Sequence, residues 1–151
     1  MLNPKNVLPL LMIFLIGISG AFAQLQTAES VSDKELKSYA KVFPKVQEID
    51  HQAQVDMVNA VDKKWLDMEK FHRIHQSQTA PGDKDYATEA ELELYRETLA
   101  LWDDIQTEAR KKIIKTVRKE GLTLDRYMDI MLKVQEDTDL RKKLREYMDR
   151  D

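Results

Sequence analysis

Apolar residues recur at spacings of three and four along two long stretches of the chain, the period of an amphipathic helix. In the first stretch Leu36, Tyr39, Phe43, Val46, Ile49, Ala53, Met57 and Ala60 share one face, and in the second Leu92, Tyr95, Leu99, Trp102, Ile105, Ala109, Ile113 and Val117 do. Each stretch opens on a capping box, Ser32 with Glu35 and Thr88 with Glu91. There the hydroxyl can accept from the third helical N–H while the carboxylate reaches back. The spacing predicts a helix from Asp33 to about Lys63, roughly 46 Å long at 1.5 Å per residue. Pro44 falls inside it, removes a backbone donor and is expected to kink it, whereas Ala100 at the corresponding place lets the second helix run straight.

The second long helix is predicted to stop at Gly121, suited to a left-handed C′ position. Thr123 then caps a short helix through Leu124, Tyr127, Met128 and Met131. Another short helix carries Met68, Phe71, Ile74 and His75, and Thr79-Ala80-Pro81-Gly82-Asp83 breaks the chain after it. Asp137 or Thr138 begins a last amphipathic segment bearing Leu140, Leu144 and Tyr147. No stretch alternates as a strand does. The expected fold is all-α, a helical bundle built from a duplicated helix-turn-helix unit with two long and about three short helices.

The duplication is visible directly. At an offset of 56 residues, without gaps, Glu35, Leu36, Tyr39, Ile49, Ala53, Val61, Lys63, Leu66 and Ile74 fall on Glu91, Leu92, Tyr95, Ile105, Ala109, Val117, Lys119, Leu122 and Ile130. Other positions keep their character: Phe43 with Leu99, Met57 with Ile113, Val58 with Ile114, Met68 with Leu124, Phe71 with Tyr127. The repeat covers about 32–78 and 88–134, followed by a C-terminal short helix. Two copies packed on each other account for it more simply than two equivalent binding half-sites. Trp65 stands where the second copy has Gly121, so the first turn must form differently.

Ser32-Asp33-Lys34-Glu35-Leu36, Val46-Gln47-Glu48-Ile49 and Gly121-Leu122-Thr123-Leu124-Asp125-Arg126-Tyr127, continuing through Ile130 to Asp139-Leu140, resemble the bacterial domain-of-unknown-function family DUF 4168. The resemblance spans about Val31 to Tyr147. It implies an exported, all-helical protein and carries over no activity, cofactor or catalytic residue.

Ahead of the repeat, residues 1–23 read as a secretory signal peptide. Lys5 supplies the positive start, Leu10 to Ile16 is an unbroken apolar run, and Ala21-Phe22-Ala23 is a small-x-small cleavage site. The stretch from Val7 to Ala23 contains Pro9, Gly17 and Gly20 and falls short of the roughly 20 residues needed to span a bilayer. The expected mature chain is one helical domain, 24–151, starting at Gln24, in the periplasm or secreted, with no stable membrane anchor after cleavage.

Composition narrows the chemistry. The chain of 151 residues has 42% hydrophobic and 34% charged residues, too apolar for disorder and too charged for a multi-span membrane protein. With no Cys, a disulfide framework, a thiolate zinc site and a thiol nucleophile are excluded. A net charge of -3 gives no basic excess for nucleic acid, and no nucleic-acid partner is expected.

His72 and His75 stand three apart on one helix, a metal-ligand spacing, but the second copy has Met128 and Met131 there, and they are read as rim histidines. His51 has no partner at ligand spacing. Met57, Met68, Met128, Met131 and Met148 read mainly as core filling rather than a soft-metal site. Asp103 and Asp104 are consecutive, so they point about 100° apart and cannot share a proton. Arg110, Lys111, Lys112, Lys115, Arg118 and Lys119 could draw an anionic polymer or lipid headgroups, but also complement the helix dipole. No phosphate loop, nucleophile elbow or His-Glu zinc motif is present. The expectation is no catalytic, cofactor-binding or metal residue, no cofactor, and no enzyme.

What remains is a non-enzymatic protein-binding or chaperone-like envelope factor, or alternatively a carrier or sensor of an apolar ligand or lipid. Leu94 and Leu101, seven apart, widen the apolar face of the second long helix, where the first copy has Ser38 and Lys45. Apolar residues found in one copy alone mark either an internal contact that breaks the symmetry or a surface for a protein partner, including another copy of this chain.

Overall fold

The computed structural model describes residues 29–64, 67–79 and 87–149. The expected signal segment, the expected start at Gln24, Trp65 and most of the expected break after Thr79 lie outside them. The protein is all-α, a helical bundle, and its helices are α1 (Asp33–Lys63), α2 (Met68–Thr79), α3 (Glu89–Lys119), α4 (Leu124–Glu136) and α5 (Thr138–Met148). No described helix is long and apolar enough to cross a membrane.

Local chemistry sets the ends of these helices. Ser32 N–H donates to Glu35 Oε2 at 2.9 Å and Glu35 N–H to Ser32 Oγ at 3.3 Å; Thr88 and Glu91 form the same box at 2.8 and 3.3 Å. At each site two orphan donors of the first turn are satisfied. α1 runs on through Pro44, whose missing N–H leaves the Ala40 carbonyl without its helical donor. Gly121 ends the turn after α3 with φ of 80°, a left-handed conformation that L side chains rarely adopt. Thr123 Oγ1 accepts from Arg126 N–H at 3.1 Å to start α4. Asp137 then closes α4 and opens α5, its side chain accepting from the Asp139 and Leu140 amides.

The described residues form two compact units, one of those up to Asp50 together with those from Lys111 onward, the other of those within His51–Arg110. The first unit's core joins Leu36, Tyr39, Phe43 and Val46 of α1 to Val117 of α3 and Leu124, Tyr127 and Ile130 of α4. Leu144 of α5 closes it. The second unit's core joins Leu92, Tyr95, Leu99 and Trp102 of α3 to Val61 of α1 and Met68, Phe71 and Ile74 of α2. Add 56 to each first-copy position in one set and subtract it from each second-copy position, and the other set results. Thus the start of each long helix packs on the short helix of the other copy, and each core is completed by both halves of the chain.

Candidate functional site

Three groups of buried or half-buried polar side chains among the described residues bear on function. In the first unit the Arg126 guanidinium faces the Glu35 carboxylate with two hydrogen bonds, Nε to Oε1 at 2.7 Å and Nη2 to Oε2 at 3.1 Å. It also pairs with Asp129, whose side chain is 1% exposed and takes a second cation, Lys133, at 3.1 Å. Both cations donate to the backbone just before α1, Arg126 to the Ser30 carbonyl and Lys133 to that of Glu29. Arg126 and the capping box together hold the Glu35 carboxyl down at about 2. These contacts neutralise a carboxylate that could not be buried alone and fix the lead into α1 on α4. The local sequence signalled the capping box but not the cation that occupies its carboxylate.

The second place is also in the first unit. Asp50 is buried and its Oδ1 has no hydrogen-bond partner, nor has the buried Tyr127 hydroxyl. Burial pushes the Asp50 carboxyl up to about 6. The Tyr127 phenol is raised by burial, an effect the neighbouring Tyr39 hydroxyl reduces and the Asp50 charge adds to, and Tyr39, stacked on Tyr127 at 4.9 Å, is raised well above its ordinary value by burial. The amphipathic pattern held a clue: Asp50 stands four after Val46 and three before Ala53, on the buried face.

The third place is the aromatic cluster of the second unit. Phe71 lies 4.8 Å from the Trp102 ring and 5.5 Å from Tyr95. Trp102 Nε1 donates to the Met57 carbonyl at 2.9 Å. His75 Nδ1 lies 2.8 Å from the Tyr95 hydroxyl, and its ring stacks on Phe71 at 6.1 Å. His72 is exposed, so the two histidines have different environments, and the described residues contain no group of three or more His, Cys, Asp or Glu placed to hold a metal ion. Asp103, Asp104 and His51 are exposed.

Leu94 and Leu101 part company as well. Leu94 is half-buried and packs against the second core, while Leu101 is 38% exposed. Of the four exposed large apolar side chains among the described residues, Val55, Val58 and Leu101 belong to the second unit, and the fourth is Met148.

Comparison with known proteins gives one finding of weight. A family model described as "Domain of unknown function (DUF4168)" matches residues 32–144. No curated protein and no solved structure matches.

Proposed function

Because the chain belongs to the DUF4168 family of domains of unknown function, its role has to be read from the molecule, and we propose that it is an exported, non-enzymatic protein-binding factor of the bacterial cell envelope with chaperone-like character. The observation that carries this reading is Leu101. It is an apolar side chain left 38% exposed on a helix whose other copy has Lys45 at the equivalent position. Single exposed aliphatics are common on soluble proteins. Here Val55 and Val58, a turn apart on α1, are exposed in the same unit, so three of the four exposed large apolar side chains among the described residues belong to it.

The non-enzymatic part rests on how the ionisable groups are used. Glu35, Asp129, Arg126 and Lys133 are tied to one another and to the backbone ahead of α1, and His75 is bound to Tyr95. Such pairs commit these particular side chains to holding structure in place.

The test is a photoactivatable cross-linker at position 101 in the exported protein, with position 104 as a polar control on the same helix. Cross-links to envelope proteins from 101 and not from 104 are the expected result. Equal labelling at both would remove Leu101 as a binding residue. Lipid bound to the purified protein in place of a protein partner would favour the carrier reading.

A further inference from the structure

We propose that the second half of α3 is a docking face for an anionic lipid surface, formed by Lys112, Lys115, Arg118 and Lys119. The stretch 109–119 contains six cations and no carboxylate in a chain whose net charge is -3. The four named side chains are exposed, and none lies within ion-pair distance of a carboxylate among the described residues. At 100° per residue they occupy about 120° of the helix surface. Val117 on the same segment is fully buried in the first core and points the other way.

Two structural explanations fall short. A helix dipole rewards cations in the last turn, which covers Arg118 and Lys119, but the effect fades before Lys112 and Lys115. Nor does the fold need positive charge there. At the repeat-equivalent positions of α1 the chain carries Asp56, Asn59, Asp62 and Lys63, all exposed on a helix of the same length.

Among anionic partners a lipid surface suits this face. It is an exposed stretch of one helix, and no aromatic side chain lies between the cations on which a nucleic-acid base could stack. A membrane surface asks only for charge density, and each Lys or Arg near it strengthens partition roughly fivefold. Isolated ion pairs to another protein would be weaker at physiological salt.

The experiment is co-sedimentation of the full chain lacking residues 1–23 with vesicles of phosphatidylglycerol mixed into phosphatidylcholine, against phosphatidylcholine alone. Binding is expected only to the anionic vesicles and should be lost in 0.5 M salt, a condition of the assay set by on-the-order-of-3 to 10 Å screening. The triple variant Lys112→Asp, Lys115→Asn, Arg118→Asp imports what α1 already carries and should weaken partition on the order of a hundredfold. Lys112→Gln, Lys115→Gln, Arg118→Gln keeps helix-forming side chains, so a fold defect in the first variant does not hide the answer. No binding to anionic vesicles, or unchanged binding by the Gln variant, overturns the proposal. Binding to a single-stranded oligonucleotide as tight as to the vesicles overturns the choice of lipid.

Discussion

Arg126 holds Glu35 across 91 positions of sequence, and Lys70 holds Glu91 in the same relation. Both residues of one pair are 56 positions from those of the other. The same offset turns the Tyr39–Tyr127 stack of the first unit into the Tyr95–Phe71 contact of the second. In each case a residue near the start of a long helix meets the short helix of the other copy. The chain therefore solves one packing problem twice, with both halves contributing to each solution.

The two ion pairs should nonetheless differ in weight. Arg126 also covers Asp129, whose side chain is 1% exposed, so Arg126→Ala takes one cation away from a buried carboxylate. A loss of about 2–3 kcal/mol in urea unfolding is expected, below the range for fully buried pairs because Glu35 is partly solvated. The Lys70 and Glu91 side chains are 36% and 24% exposed, and Lys70→Ala should leave the urea midpoint almost unmoved. A loss from Arg126→Ala as small as that expected for Lys70→Ala would mean that the first pair, too, is an ordinary surface contact.

Asp50 gives the first unit an unusual pH dependence. Its folded pKa of about 6 lies above the value of an unfolded Asp, so the native state binds more protons between about pH 4 and 6 and stability falls as pH rises through that window. Glu35 acts in the opposite sense. Its folded pKa of about 2 gives stability that is present above its unfolded pKa and lost as pH falls towards 2. Asp50→Asn should flatten the upper slope. At pH 7.5, chosen as roughly one and a half units above the folded pKa, it should gain about 1–2 kcal/mol over the parent, less than two full pKa units because nearby solvent screens the charge. A variant less stable than the parent at that pH would show that the carboxylate has a partner that stabilises it.

Trp102 sits on the central stripe of α3, yet it is half-buried and binds the Met57 carbonyl through its indole N–H. Trp102→Ala should cost about 2–3 kcal/mol, short of the range for a fully buried ring. Trp102→Phe keeps the contact with Phe71 and loses the hydrogen bond, for about 1 kcal/mol. Thermal unfolding followed by far-ultraviolet circular dichroism separates the two. If Phe is as damaging as Ala, the hydrogen bond rather than the packing fixes Trp102.

The parts of this fold that were legible in sequence are those decided within a few residues. Ser32 with Glu35, Thr88 with Glu91, Gly121 and Thr123 specify helix ends by backbone chemistry, and α1 spans the predicted Asp33–Lys63. What local pattern could not supply is the partner of each face. Periodicity says that Leu36 and Tyr39 are buried, but not that they meet Tyr127 and not Phe71. The Arg126–Glu35 pair has no local signature in the sequence. Thr98 is fully buried because its hydroxyl donates to the Leu94 carbonyl one turn back, which hides a polar group that composition alone places outside.

Leu94 and Leu101 look alike in sequence, and the structure assigns them different consequences. Leu94 touches the second core, so Leu94→Ser removes packed apolar surface and should cost about 1–2 kcal/mol, less than the 2–5 of a fully buried leucine truncation. Leu101 is 38% exposed, and Leu101→Lys copies the residue that stands at the equivalent position of α1. Its stability should stay within about 0.5 kcal/mol of the parent, the scatter of ordinary surface changes. If the proposed binding function is right, Leu101→Lys loses the cross-linked or co-purified partner while its melting curve is unchanged, and Leu94→Ser weakens the fold while the partner is still captured at a temperature where the variant is folded. A destabilised Leu101→Lys would place that side chain in the internal packing of the second unit. An undisturbed melting curve together with undiminished partner capture would leave Leu101 without a binding role and remove the observation on which the proposal stands.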